Sequence, residues 1–248
     1  MTAFLHTFSV AARCPRSGRL GVAISTALPA VGGYCSFVEP AVGAVATQSW
    51  TNPYLALDAL ETLAGGASAQ EALNGVLRRD AEAELRQIGL VDAAGNTAVW
   101  TGGACTAWAG HRQGEGYTVQ GNMLVGPETV TAMAEAMDAT ADHDLVDRLV
   151  AALLAGQAAG GDKRGKQSAA VKVYGAEAYP LLDLRVDDHA EPAAELARLH
   201  ALAKVQLQPF LDSLPRRRGG SAVPLSEAAK AMIMTPPERR PQQPEGDR

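Results

Sequence analysis

The densest run of chemistry-bearing side chains is Gly160-Gly161-Asp162-Lys163-Arg164-Gly165-Lys166-Gln167-Ser168, leading into the mostly apolar Ala169 to Val173. An acid, three cations, an amide and a hydroxyl stand between glycines at the entrance of a strand. Such a density of hydrogen-bonding groups is poor core material, and it suits a site that holds a small polar ligand against a sheet. Arg164 offers a planar fork that matches a carboxylate. The competing reading is an internal Asp162–Arg164 pair that braces the loop. His111, after Trp108-Ala109-Gly110, is of a type that can move protons or contact substrate at neutral pH, although a packed or exposed loop histidine is the stronger reading. Asp187-Asp188-His189 contains metal-type ligands. Strand alternation lets Asp187 and His189 share a face but keeps all three from one ion, so capping or a subunit contact is the better use and no metal is assigned. Three cysteines, Cys14, Cys35 and Cys105, make an odd count without a Cys-x-x-Cys spacing, which fits neither a disulfide framework nor a zinc site. No Gly-x-Ser-x-Gly elbow, phosphate loop or dinucleotide fingerprint occurs, and no cofactor is called for.

These residues belong to a chain of 248 with 47% hydrophobic and 20% charged residues, ordinary for a globular protein. The net charge of −5 gives no electrostatic footprint for nucleic acid. No apolar run approaches the roughly 18 residues of a membrane span. Met1 to His6 lacks the basic and apolar regions of a secretory signal, so the expected location is the cytoplasm. The expected partner is a small-molecule substrate, and a homo-oligomer is compatible with a domain of this size.

The elements that must position the site are legible in outline. Thr7 to Arg13 and Leu20 to Ala27 read as a hairpin around Pro15-Arg16-Ser17-Gly18. Val42 to Trp50 reads as a strand covered on both faces. Asn52 and Pro53 open a helix, with Leu55, Leu57, Leu60 and Leu63 as its apolar side and Gly65-Gly66 as its end. Ser68 and Glu71 form a capping box for a second helix. Arg86 to Val91 and Thr97 to Trp100 make another hairpin, and Trp108 to Val125 carries short strands. Helices are expected over Pro127 to Ala139, with Met133 and Met137 in the core, and over Asp144 to Ala155. Two strands follow, Ser168 to Tyr174 and Leu181 to Val186. A final helix spans Pro192 to Leu207, with Leu196, Leu199, Leu202 and Val205 inward. Helices thus come in pairs between runs of strands, which predicts an α+β fold of two stacked sheets between helical layers and not a doubly wound sheet. The domain organisation expected is an extension over residues 1–6, a single domain over 7–214, and a mostly disordered tail over 215–248. Arg216-Arg217-Arg218-Gly219-Gly220 opens that tail, and a short helix is expected over Ser226 to Met234.

Seven strings in order carry a resemblance. They are Thr7 to Ala12, Gly21 to Ser25, Gly43 to Gln48 with Asn52-Pro53, Trp108 to His111, Gln120 to Leu124, Gly161 to Ala169, and Leu184 to His189. Together they resemble the domain-of-unknown-function family number 1028 over about residues 7–207. The resemblance implies a four-layer αββα sandwich of the N-terminal-nucleophile-hydrolase type. In that type the first residue of the mature chain attacks an amide carbonyl and its own α-amine takes the proton. It also implies Thr7 as the nucleophile; with Met1 to His6 ahead of it, the competing readings are a misassigned start, autocatalytic cleavage of that segment, or Thr7 as an ordinary strand residue. Asp162, Arg164 and Gln167 would position substrate and amine. Gln48 and Asn52 flank a strand end, where side-chain amides orient substrate or donate to an oxyanion, and Asn52 doubles as a helix cap. Asn122 in Gly121-Asn122-Met123 is a further oxyanion donor. The function expected is hydrolysis of a small amide or peptide-like compound. The alternative is a non-catalytic protein that binds a small ligand on the same fold.

Overall fold

A computed structural model describes residues 7–217 and 224–242. Met1 to His6, the Arg218-Gly219-Gly220 end of the basic stretch and the last six residues lie outside the described residues. The chain divides into two compact units, residues 1–196 and 197–248.

The first hairpin is buried on both faces along nearly its whole length. β1 (Thr7–Arg13) and β2 (Leu20–Thr26) pair antiparallel from Thr7↔Thr26 to Arg13↔Leu20. Two strands, not one, follow: β3 (Ser36–Glu39) and β4 (Gly43–Ser49). The turn between them is closed by Val42 N–H on Glu39 O at 3.1 Å. Pro40 sits at its second position and Ala41 at its third with φ 58°, a left-handed place usually held by Gly or Asn. An alanine there gives no turn signal, so β3 is invisible in the sequence.

α1 (Pro53–Ala64) starts at Asn52, whose side chain accepts from Tyr54 N, and α2 (Ala69–Arg79) starts at the Ser68–Glu71 capping box. Leu57 turns out to solvent, and Ala56 and Ala59 complete the buried face of α1. The small alanines let the helix lie close to the sheet. β5 (Arg86–Asp92) and β6 (Thr97–Thr101) form the expected hairpin. β7 (Gly110–Gly114) and β8 (Tyr117–Asn122) form a third. α3 (Glu128–Ala139) buries Met133 and Met137, and α4 (Leu145–Ala158) is capped by Asp144. β9 (Ser168–Tyr174) and β10 (Pro180–Val186) complete the strands.

The strands make two antiparallel sheets, ordered β10-β9-β2-β1-β8-β7 and β3-β4-β5-β6. α1 and α2 cover the outer face of the four-stranded sheet, with Leu55, Leu60, Leu73 and Val76 against Val45, Ile88 and Leu90. α3 and α4 cover the outer face of the six-stranded sheet. There Gly21 lets Leu149 of α4 close in, since a Cβ would lie 2.9 Å from its Cδ1. The inner faces pack on each other through β1, β2, β4, β5 and β8. The fold is α+β, a four-layer αββα sandwich.

α5 (Pro192–Gln206) follows β10. Its buried line is Ala193, Leu196, His200 and Ala203, whereas Leu199, Leu202 and Val205 are half-buried. Steps of three and four residues hold one narrow stripe, and the expected leucines fall on its flanks. The second unit also contains α6 (Gln208–Leu211) and α7 (Glu227–Met234), the latter capped by Ser226. No helix among the described residues is long and apolar enough to cross a membrane.

Candidate functional site

The interior between the sheets changes character along its length. At one end it is apolar, formed by Ala11, Leu20, Val22, Ala44, Ala46 and Val91. At the other it is polar. Across the six-stranded sheet, Ser168, Thr26, Thr7 and Asn122 stand side by side in register. Across the facing sheet, Gln48, Gln87 and Thr101 do the same. Thr7, Ser9, Thr26, Gln48, Gln87, Gln120, Asn122 and Ser168 are all buried. Buried amides and hydroxyls are costly unless bonded, and here they bond chiefly to each other.

Gln87 is the hub. Its Oε1 accepts from Gln48 Nε2 at 2.7 Å and from Asn122 Nδ2 at 3.1 Å. Its Nε2 faces Thr101 Oγ1 at 2.8 Å, Gly121 O at 2.8 Å and Gly110 O at 3.1 Å. Gln48 Nε2 also donates to Thr7 O at 3.1 Å, while its Oε1 accepts from Ser9 Oγ at 2.7 Å. Ser9 Oγ in turn accepts from Gln120 Nε2 at 2.7 Å. Thr101 Oγ1 lies 2.8 Å from His111 Nδ1. The ring reaches the surface, yet its partial burial pushes its pKa below the ordinary histidine value.

Thr7 heads β1 at the meeting point of these groups. Its hydroxyl donates to Thr26 Oγ1 at 3.2 Å, and the residue is fully buried in this chain. Two backbone features frame it. Ser49, directly after Gln48, has φ 71°, and Met123, directly after Asn122, has φ 51°. Non-glycine residues rarely adopt this region, and such positions concentrate at functional sites. The turn at Met123 also binds two loops together: its N–H donates to Thr106 O at 2.9 Å and its O accepts from Lys163 N at 3.3 Å.

The glycine-rich loop lies alongside. Asp162 is buried, and both its oxygens are engaged. Oδ2 accepts from Ala27 N at 3.2 Å and from Arg164 Nη2 at 2.9 Å, and Oδ1 from Arg164 N at 2.9 Å. Ala27 follows Thr26, so Asp162 stands one residue from the partner of Thr7. The Asp162–Arg164 pair therefore braces the loop. Gly160, Gly161 and Gly165 all have positive φ, which is why the loop needs them. Gln167 donates its side chain outward to Asp188 Oδ1 at 3.0 Å.

Of the residues singled out from sequence, the structure joins Thr7, Gln48, Asn122 and His111 in one bonded set. It sets Asp162 and Arg164 beside that set. Asn52 stands apart: Oδ1 caps α1, and Nδ2 donates to Asp80 Oδ2 at 3.2 Å. Gln167 also stands apart by its side chain. Asp187 pairs with Arg185 at 3.4 Å, and His189 Nδ1 accepts from Glu191 N at 2.9 Å. Ser9, Thr26, Gln87, Thr101 and Gln120 had not been singled out. A signal existed for some of them. Thr7 and Ser9, and Gln120 and Asn122, are polar pairs two apart in strands whose other residues are largely apolar, which places each pair on one face.

No curated protein matches the chain. Among solved structures, the ancestral β-subunit Anbu from Yersinia bercovieri is 15% identical, with a TM-score of 0.39, covering 86% of this chain and 100% of that one. An Anbu Gly-1 mutant from a Hyphomicrobium strain is 12% identical, with a TM-score of 0.40 and coverage of 86% and 100%. A crystal structure from Silicibacter pomeroyi, itself of family DUF1028, is 30% identical, with a TM-score of 0.78, covering 85% of this chain and 92% of that one. The model of the family of unknown function DUF1028 matches residues 7–196, the same start as the resemblance read from the seven strings and a slightly earlier end than its 207. By that match, which spans most of its length, the chain belongs to the family DUF1028.

Proposed function

We propose that the protein is an amidohydrolase in which Thr7, once it is the first residue, attacks a small amide or peptide-like substrate. The observation that carries this reading is the position of Thr7. It heads a central strand where the polar ends of both sheets meet, with Gln48 on its carbonyl and Asn122 beside it in register. The family match beginning at Thr7 supports it. An α-amine has a pKa of about 7.7–8 and is partly neutral at cellular pH, so it can serve as base. In the reaction Thr7 Oγ1 bonds to the carbonyl carbon while the hydroxyl proton passes to the α-amine. That proton then leaves with the amine of the substrate as the C–N bond breaks. Water hydrolyses the resulting ester and restores the hydroxyl. Asn122 has a second Nδ2 hydrogen beyond the one given to Gln87, suited to an oxyanion. Asp162 and Arg164 would hold the loop against the site, and no cofactor enters. As long as a residue precedes Thr7, its nitrogen is an amide and cannot act as base.

A second reading is a non-catalytic protein that binds a small ligand. It is favoured by the engagement of Thr7 Oγ1 with Thr26 and of Asp162 with Arg164 and Ala27. The test is N-terminal sequencing and intact mass of the full chain expressed in its native host, followed by reaction with a β-lactone acylating probe. A chain beginning at Thr7, acylated there and not in Thr7→Ala, is expected. A chain that keeps residues before Thr7 and takes no label refutes the hydrolase and leaves the binding protein.

A further inference from the structure

We propose that Gln120, Ser9, Gln48, Gln87, Thr101 and His111 form a one-way hydrogen-bond chain whose exposed end, His111, transmits solvent pH to the polar groups beneath Thr7. The direction follows from fixed main-chain acceptors. Thr7 O, at 3.1 Å, can only accept, so the nitrogen of the Gln48 amide must face it. Gln48 Oε1 then points at Ser9 Oγ, which must donate to it. A hydroxyl has one proton, so Ser9 must accept from its other neighbour, the Gln120 amide nitrogen. Gly110 O and Gly121 O likewise can only accept, and they pin Gln87 with Nε2 toward them. Gln87 Oε1 is thereby turned to the donors of Gln48 and Asn122. Gln87 Nε2 has two hydrogens for three acceptors and shares them among Gly110 O, Gly121 O and Thr101 Oγ1; being a donor only, it leaves the Thr101 proton for His111 Nδ1. Every donor points the same way, from Gln120 outward to the imidazole.

The consequence is a defined tautomer. In the proposed chain neutral His111 carries its proton on Nε2, the nitrogen that makes no hydrogen bond among the described residues. Protonation at Nδ1 turns the last link into a donor facing a donor. Thr101 must then turn its proton away and accept from Nδ1 with one of its two lone pairs, which reorients the oxygen that shares the Gln87 Nε2 hydrogens. The neutral state is favoured both by this arrangement and by partial burial of the ring. Few other charges reach the ring. The elements packed on β7 are β8, β6 and α3. β6 brings no ionisable side chain. β8 brings only Tyr117, which is at the far end of that strand and bonded to Asp138 at 2.7 Å. Glu128, Glu135 and Asp138 of α3 lie across the other face of the sheet, the side to which Arg112, adjacent to His111, also points.

The inference concerns the hydrogen-bond chain itself, and it rests on the proposed hydrolase only for its effect on turnover. The test therefore uses no substrate. Nitrogen-15 NMR of the full chain reads the His111 tautomer and the side-chain amide signals of Gln48 and Gln87 through a pH titration. Expected are an unprotonated Nδ1 in the neutral form and amide signals that titrate with His111. Thr101→Val should raise the His111 pKa and silence the amide response, while Thr101→Ser restores both. His111→Gln, which keeps the fold without a titrating ring, should leave the amides unresponsive across the same range. A neutral ring protonated on Nδ1, or amide signals in the parent protein that ignore the His111 titration, overturns the proposal whatever the enzyme assay gives.

Discussion

Replacing Gln87 by leucine tests whether the polar interior is as tightly bonded as the distances say. Leucine matches the glutamine in size but has no donor or acceptor. Five contacts of 2.7–3.1 Å vanish together. Two partners keep another bond: Gln48 Nε2 still has Thr7 O, and Thr101 still has His111. Asn122 Nδ2 keeps none, and it is buried at 1% exposure. Gly110 O and Gly121 O each lose a donor. An orphaned buried polar group costs about 1–3 kcal/mol. One full orphan and two weakened carbonyls then give a loss of about 3 kcal/mol. For a chain of this size that is about 6–12 °C in Tm. The assay is urea and thermal denaturation beside Gln113→Leu, an exposed glutamine bonded to Thr97 Oγ1 at 2.8 Å, which should move stability by no more than about 0.5 kcal/mol. Gln87→Glu sharpens the test. It keeps the acceptor half but turns a carboxylate toward two carbonyls, so it should be worse than leucine although closer in chemistry. If Gln87→Leu falls within about 1 kcal/mol of the Gln113 control, the amides are not mutually bonded and the reasoning fails.

Gly89→Ala should destabilise by about 1–3 kcal/mol in the same assay, because its Cβ would fall 2.1 Å from Gln120 Oε1 and 2.6 Å from Thr118 Oγ1, and Gln120 cannot swing away while Ser9 holds its other end. Asp80 gives a pH prediction: burial raises its pKa, but bonds from Arg86, Glu82 N and Asn52 and the charge of Arg86 outweigh this and leave it lowered. A lowered carboxylate adds stability that is present above the unfolded pKa of about 3.9 and is lost as pH falls toward the folded value, so the urea midpoint should drop below about pH 4 more in the parent than in Asp80→Asn. Arg86→Met strands Asp80 without its main partner and should cost about 3–5 kcal/mol at neutral pH, unless the midpoint stays within error of the parent. Cys35 is buried and its thiol is pushed up to about 12, so a thiol reagent should reach it only at the rate of unfolding; prompt native-state labelling of Cys35, read by peptide mass, contradicts the packing.

Local signals account for what was legible in the sequence. The capping box at Ser68 and Glu71, the Asn52–Pro53 helix start and the first hairpin each depend on neighbours a few residues apart, and all are present. So is the pairing of helices between strand runs, from which the layered sandwich follows. The features that were missed depend on register. Gln87 follows Arg86 at the start of a strand and reads as a solvated edge. It becomes central because Gln48 and Thr101 stand opposite it, and one sequence does not state which residues face each other across a sheet. Leu57 and the flanking leucines of α5 fail for a related reason: apolar type shows that a residue can be buried, while helix phase decides which one is. In the Gly160 to Ser168 loop the residue types show a pair within reach but not its use, and the fold commits Asp162 to Arg164 and Ala27.

The polar half of the interior is hard to account for as packing alone. At the other end of the same sandwich, alanine, valine and leucine fill the space between the same strands with no bonding requirement. Continuing that pattern would be simpler, since a buried polar network is acceptable only when nearly every member is satisfied. This one is not wholly satisfied. Gln120 Oε1 and Thr118 Oγ1 are buried without a partner, against a glycine whose missing side chain gives them room. Two left-handed residues, Ser49 and Met123, add backbone strain at the two places where the amides end. Unmet hydrogen bonds and strain on the same three strands are costs that folding alone gives no reason to keep. They are accounted for if the amides must hold a fixed donor direction beneath Thr7. That is a requirement of chemistry or of ligand recognition at that residue, and an apolar core could not meet it.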